Sequence, residues 1–162
     1  MSSRLVKNYD SYGKIKFLQC NNQKRIDTCE LIANMTDKMD SFVVIGQEPS
    51  SYGFNITGLN WRHVIIQGAV EKPRTYIYAH KDIHTWPIEQ LCTKDVTACI
   101  IDTHNPGTGK ALVVSVYWDG RIDNFPPEAI EGIKMARMNN YTLVLGGDLN
   151  ARNILYGSNK TD

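Results

Sequence analysis

Apolar positions along this chain fall into short runs separated by polar, turn-rich stretches. Ile15-Lys16-Phe17-Leu18-Gln19-Cys20 alternates and predicts a strand, because successive strand side chains point to opposite faces. From Arg25 to Lys38, Ile26, Cys29, Ile32, Ala33 and Thr36 recur at helical spacing. Ser41-Phe42-Val43-Val44-Ile45-Gly46 is a continuous run rich in β-branched residues, the pattern of a strand covered on both faces. The Ser-, Gly- and Asn-rich stretch from Ser50 to Asn60 reads as a loop. Further strands are predicted at His63–Gln67, Thr75–Ala79, Val96–Ile101 and Ala111–Tyr117, the last two joined as a hairpin through a Gly- and Asn-containing turn. Pro126-Pro127 opens a second helix with Ala129, Ile130, Ile133 and Ala136 as its buried stripe, and Tyr141–Leu145 forms the last strand. This order predicts one α/β domain over residues 1–162, with a mixed β-sheet flanked by helices.

Composition narrows the classes. The 162 residues carry 18 Lys+Arg and 17 Asp+Glu, a net charge of +1, which argues against a non-specific nucleic-acid coat or a polybasic membrane binder. A nuclease needs only a local basic groove and stays open. No apolar run approaches the roughly 18–20 residues of a membrane span, and the first ten residues lack a signal-peptide core. The sparse cysteines, Cys20, Cys29, Cys92 and Cys99, are read as reduced thiols, so an intracellular location is expected.

Candidate chemistry sits at strand ends. Leu145-Gly146-Gly147-Asp148-Leu149-Asn150 carries a strand into two glycines and then a carboxylate and a carboxamide two residues apart. In extended chain both face the same way, so Asp148 and Asn150 are expected to converge on one ligand, the Asp orienting a water and the Asn donating to an oxyanion. The plainer alternative is an Asx-rich turn closing the strand. Glu48 follows another apolar strand, where parallel strands deliver ligand-binding residues to one rim, and it suits Mg²⁺. Asn21 falls on the same rim, and Tyr117 ends the strand before Trp118 with its phenol placed for a phosphate oxygen. Each of these also reads as an ordinary turn or packing residue. Gly107-Thr108-Gly109-Lys110-Ala111 is not a phosphate loop, because Ala replaces the Ser/Thr and a strand follows. His80, His84, Cys92 and Cys99 match no zinc spacing.

In order along the chain, Leu18-Gln19-Cys20-Asn21, Gly46-Gln47-Glu48-Pro49, Val114-Ser115-Val116-Tyr117 and Gly146-Gly147-Asp148-Leu149-Asn150-Ala151 resemble the endonuclease/exonuclease/phosphatase superfamily. The tail Asn150-Ala151-Arg152-Asn153-Ile154-Leu155-Tyr156-Gly157-Ser158 is similar to the endonuclease domain of non-LTR (LINE-type) retrotransposons, where a Leu-aromatic-Gly-Ser run follows Asp-x-Asn-Ala. The resemblance implies the first half of a four-layer α/β sandwich. It implies Glu48 as principal metal ligand with Asn21 beside it, and Tyr117 on the scissile phosphate. Asp148 aligns the attacking water, Asn150 helps hold the phosphate, and Arg152 is placed for DNA contact. The implied reaction is Mg²⁺-dependent nicking of DNA, with Mn²⁺ as a substitute metal, exposing a 3′ hydroxyl for reverse transcription. Action on genomic DNA makes the expected location nuclear.

The family's second half supplies a further Asp and a late Ser-Asp-His, and no Ser-Asp-His occurs here. The expectation is a domain lacking its C-terminal half, with one face of its sheet bare until that half or a second copy of the chain covers it. Two alternatives follow: a catalytically dead descendant that binds nucleic acid or protein, and another hydrolase of the superfamily, acting on inositol phosphates or poly(A).

Overall fold

The computed structural model describes residues 14–104, 107, 109–119 and 124–150. Two parallel strand pairs frame it. The alternating run forms β1 (Lys16–Asn21), helix α1 (Ile26–Thr36) returns the chain, and the β-branched run forms β2 (Phe42–Gln47) parallel to β1. After a small hairpin, β3 (Ser51–Tyr52) and β4 (Asn55–Ile56), the chain adds β5 (Val64–Ile66) and β6 (Thr75–Ala79), both antiparallel neighbours. The first sheet therefore reads β1-β2-β6-β5. β7 (Thr85–Pro87), β8 (Val96–Asp102) and β9 (Lys110–Tyr117) follow, and helix α2 (Pro127–Met138) crosses to β10 (Thr142–Asp148), parallel to β9. The second sheet reads β10-β9-β8-β7, so each sheet holds one parallel pair followed by two antiparallel strands.

The sheets pack face to face. Val43, Ile45, Ile77 and Ala79 from the first meet Cys99, Ile101, Ala111 and Val113 from the second. The alternate residues point outward: Phe42, Val44, Tyr76 and Tyr78 against Ile32 of α1, and Leu112, Val114 and Val116 against Ala129 and Ala136 of α2. The result is four layers, helix on sheet on sheet on helix. Each buried Val or Ile in these runs contributes roughly 1.5–3 kcal/mol of transfer free energy, which is why strands exposed to neither face of solvent read as unbroken apolar runs.

Three expectations change. The strands divide between two sheets rather than one, so the inner faces cover each other, and among the described residues β1 and β10 lie on one side as neighbouring edge strands. There Phe17 is 40% exposed, and Leu143 and Leu145 are 38% and 40% exposed. Among the described residues β10, whose apolar run alone suggests burial, is therefore an edge strand. In α2, Ala129, Gly132 and Ala136 face the sheet while Ile130 and Ile133 are 41% and 42% exposed. Small residues let the helix approach closely, since a Cβ on Gly132 would already lie 3.4 Å from Val114.

Candidate functional site

Both parallel pairs point their C-terminal ends the same way. Asn21 is in register with Gln47, and Asp148 with Tyr117. Two strand-end pairs, one per sheet, thus form a common rim. Across the gap between the sheets Asn21 Nδ2 donates to Asp148 Oδ2 at 2.5 Å. The backbone N–H of Asn150 donates to the other carboxylate oxygen at 3.1 Å. Among the described residues each carboxylate oxygen of Asp148 accepts one hydrogen bond, which fixes the plane of the carboxylate and leaves lone pairs for a water.

A polar chain, exposed at Gln19 and buried beyond it, holds the sheets in this register. Gln19 Nε2 donates to Gln47 Oε1 at 2.8 Å, Gln47 Nε2 to Ser115 Oγ at 3.0 Å, and Ser115 Oγ to the Gly46 carbonyl at 2.9 Å. Gln47 and Ser115 are fully buried. Gly146 and Gly147 do not open a turn; they lie within β10, and their lack of Cβ permits close approach. A Cβ on Gly147 would fall 2.7 Å from the Val116 carbonyl, and one on Gly146 3.0 Å from Ile45 Cγ2. Gly46 makes room for the buried Tyr76 ring, which a Cβ would meet at 2.0 Å, and Tyr76 OH donates to Asn22 Oδ1 at 2.9 Å. Burial, reinforced by the neighbouring Cys20, pushes the Tyr76 phenol well above its ordinary range, and burial likewise raises the Cys20 thiol. This cluster is neutral and structural, supporting the end of β1, where Asn21 stands.

Glu48 stands one residue beyond β2 with a left-handed φ of 47°. Its backbone is pinned on both sides, its N–H to the Arg74 carbonyl at 2.8 Å and its carbonyl to Lys24 N–H at 2.7 Å. The carboxylate, 18% exposed, pairs with Lys24 Nζ at 3.6 Å. Asn150 also takes a left-handed φ, 46°, so it leaves the extended path and the same-face argument no longer governs it. Its Nδ2 instead donates to the Trp118 carbonyl at 2.8 Å, tying the end of β10 to the end of β9. Tyr117 lies beneath Arg74, whose guanidinium sits 4.6 Å from the ring centroid. Arg74 grips both oxygens of Asp95, Nη2 to Oδ2 at 2.6 Å, and its Nη1 is 3.8 Å from Asp119. Hydrogen bonding to Asp95 raises the Arg74 pKa further, so this residue is a charged buttress for Tyr117.

The structure thus brings Asn21 and Asp148 into contact, sets Asn150 and Tyr117 beside them, and places Glu48 on the adjoining loop. Arg152 lies outside the described residues. Gln47, Ser115 and Arg74 were not singled out from sequence; for Gln47 and Ser115 the available signal was a polar residue ending or interrupting an apolar run, and Arg74 carried none. All four histidines lie at the opposite end of the sandwich. His63 and His80 pack on Phe42, the first residue of β2, and His84 and His104 are neighbours beyond the far end of β8. Among the described residues no three His, Cys, Asp or Glu side chains converge as a metal cage.

No protein-family model matches the chain, and no curated protein matches it in sequence. Among solved structures, it is similar to the endonuclease domain of TRAS1, a telomere-specific non-LTR retrotransposon. The TM-score is 0.62 at 21% identity, covering 90% of this chain and 64% of that one. The likeness shows a retrotransposon-endonuclease-like α/β fold, and the match spans somewhat under two thirds of that neighbour's length.

Proposed function

We propose that this chain is the N-terminal part of a metal-dependent phosphodiester hydrolase, a DNA-nicking endonuclease domain of a retroelement reverse-transcriptase protein. The observation that carries this reading is the Asn21–Asp148 contact at the shared C-terminal rim of two parallel strand pairs, on a fold similar to that of an endonuclease domain. The donor chemistry suits Mg²⁺, which takes one or two carboxylates and keeps several waters. Glu48 is a partly exposed carboxylate whose present counter-ion is a lysine beyond hydrogen-bond distance. Glu48 would hold the ion with Asn21 beside it, and Mn²⁺ would substitute. When bound, the metal supplies neutralisation of charge on the phosphoryl oxygens.

The chain's own residues do the rest. Asp148, oriented by Asn21 and the Asn150 N–H, positions the attacking water and accepts its proton. Asn150, whose Nδ2 is engaged by the Trp118 carbonyl, would help hold the phosphate with the rest of its carboxamide. Tyr117, braced by Arg74, offers its phenol to a phosphate oxygen. Cover for the β1/β10 edge comes from the C-terminal half of such a domain or from a second copy. DNA, and hence nuclear, action is part of the same reading. The assay is hydrolysis of supercoiled plasmid, poly(A) RNA and inositol phosphates in Mg²⁺ or EDTA. The expected result is nicked plasmid in Mg²⁺ only. Turnover of poly(A) or inositol phosphate instead, or plasmid nicking that survives EDTA, contradicts it.

A further inference from the structure

Beside Glu48 lies a cleft of about 480 Å³ lined by Lys24, Lys72, Lys94, Arg74 and the Ser50-Ser51 turn. Its walls are built rather than incidental. Lys24 N–H donates to the Glu48 carbonyl, Lys72 N–H to the Gly53 carbonyl at 2.9 Å, and Arg74 N–H to the Lys94 carbonyl at 2.8 Å. Three loops, after β1, before β6 and before β8, are thereby tied around one space. Lys24, Glu48 and Lys72 all hold left-handed φ values, 58°, 47° and 51°. Backbone of this kind is held in place only where its surroundings over-determine it.

The charge is unbalanced. Arg74 is neutralised by Asp95 and Asp119, and Lys24 pairs with Glu48. Among the described residues, Lys72 and Lys94, both exposed and both lining the cleft, have no carboxylate within ion-pair distance, so two lysines of its wall are uncompensated in a protein of net charge +1. A concave wall of one sign concentrates field and attracts an anion. Because Glu48 belongs both to this wall and to the candidate metal site, the anion in the cleft would adjoin the reacting group.

We propose that this cleft is a backbone-phosphate subsite, in which Lys72 and Lys94, with Lys24, hold a phosphodiester of the substrate strand next to the one being cut. The assignment rests on the nuclease reading and adds to it which residues supply affinity. The contacts are with phosphate, so they position the strand without reading its sequence.

The test is fluorescence anisotropy of a labelled 20-bp DNA duplex across a NaCl series, comparing the parent with Lys72→Gln/Lys94→Gln. Lys24 is left intact because it also touches Glu48. A Lys38→Gln/Lys81→Gln variant, which removes the same charge at the far end of the sandwich, is the control. Each phosphate contact contributes about 0.9 to the slope of log affinity against log salt. The expected result is a several-fold weaker complex and a slope shallower by about 1–2 for the cleft variant, with the control at parent values. Equal affinity and slope in the cleft variant overturn the subsite while leaving the nuclease reading intact. Equal losses in both variants reduce the effect to overall charge and overturn it too. If the parent binds no duplex, the reading beneath the subsite fails with it.

Discussion

Asp148 and Asn21 are short polar side chains at strand ends, and such residues usually satisfy their own turns. Here each does so and still has something left. Asn21 Oδ1 accepts the Gln23 N–H at 2.8 Å while its Nδ2 reaches across to Asp148. What holds that alignment is less visible: the fully buried Gln47–Ser115 bond. Removing one partner of a buried pair leaves the other desolvated and unpaired, a cost of about 1–3 kcal/mol. Ser115→Ala is therefore expected to lower the stability read by urea denaturation by that amount with an unchanged m-value. A loss under about 0.5 kcal/mol contradicts the role given to this bond. These residues were hard to read from sequence for a physical reason. A Gln or Ser within an apolar run signals a buried polar group, but not the strand, 68 residues away, that satisfies it.

At the scale of elements, the apolar runs Phe42–Ile45, Thr75–Ala79, Val96–Ile101 and Ala111–Tyr117 announce themselves as strands because each is buried on both faces. That same property hides which sheet a strand joins. A strand lying between a helix and a second sheet has the same unbroken pattern as one lying between two helices. The short β7 was illegible, since Trp86 is exposed and Pro87 cannot donate to a ladder. The face of α2 was misread because hydrophobicity favours Ile130 and Ile133, whereas close packing on β9 favours Ala129, Gly132 and Ala136. Close approach also governs β2, where Gly46 is bounded by the Tyr76 ring. Because that ring is fully buried, it cannot swing aside. Gly46→Ala is expected to destabilise by about 1–3 kcal/mol, the usual range for over-packing. A melting temperature equal to the parent's speaks against this packing.

For the whole molecule, two features of one architecture point in opposite directions. At the rim, the parallel pairs of both sheets converge and the polar groups are paired. Along the side, β1 and β10 are edge strands among the described residues, with Phe17, Leu143, Leu145 and Leu149 between 38% and 42% exposed. Open edges flanked by apolar side chains template further strand pairing. Purified 1–162 is expected to associate with increasing concentration in sedimentation velocity, and Leu143→Lys/Leu145→Lys to suppress this. A monomer at every concentration argues that the edge needs no cover. The central claim, that the strand ends of the two sheets together form a phosphodiesterase site, is tested most directly by nicking of supercoiled plasmid in Mg²⁺ by the parent, Glu48→Gln and Asp148→Asn. The account predicts nicking by the parent and a loss on the order of 10²-fold or more in each variant, with the fold intact by circular dichroism. No nicking by the parent, or nicking undiminished in both variants, contradicts it.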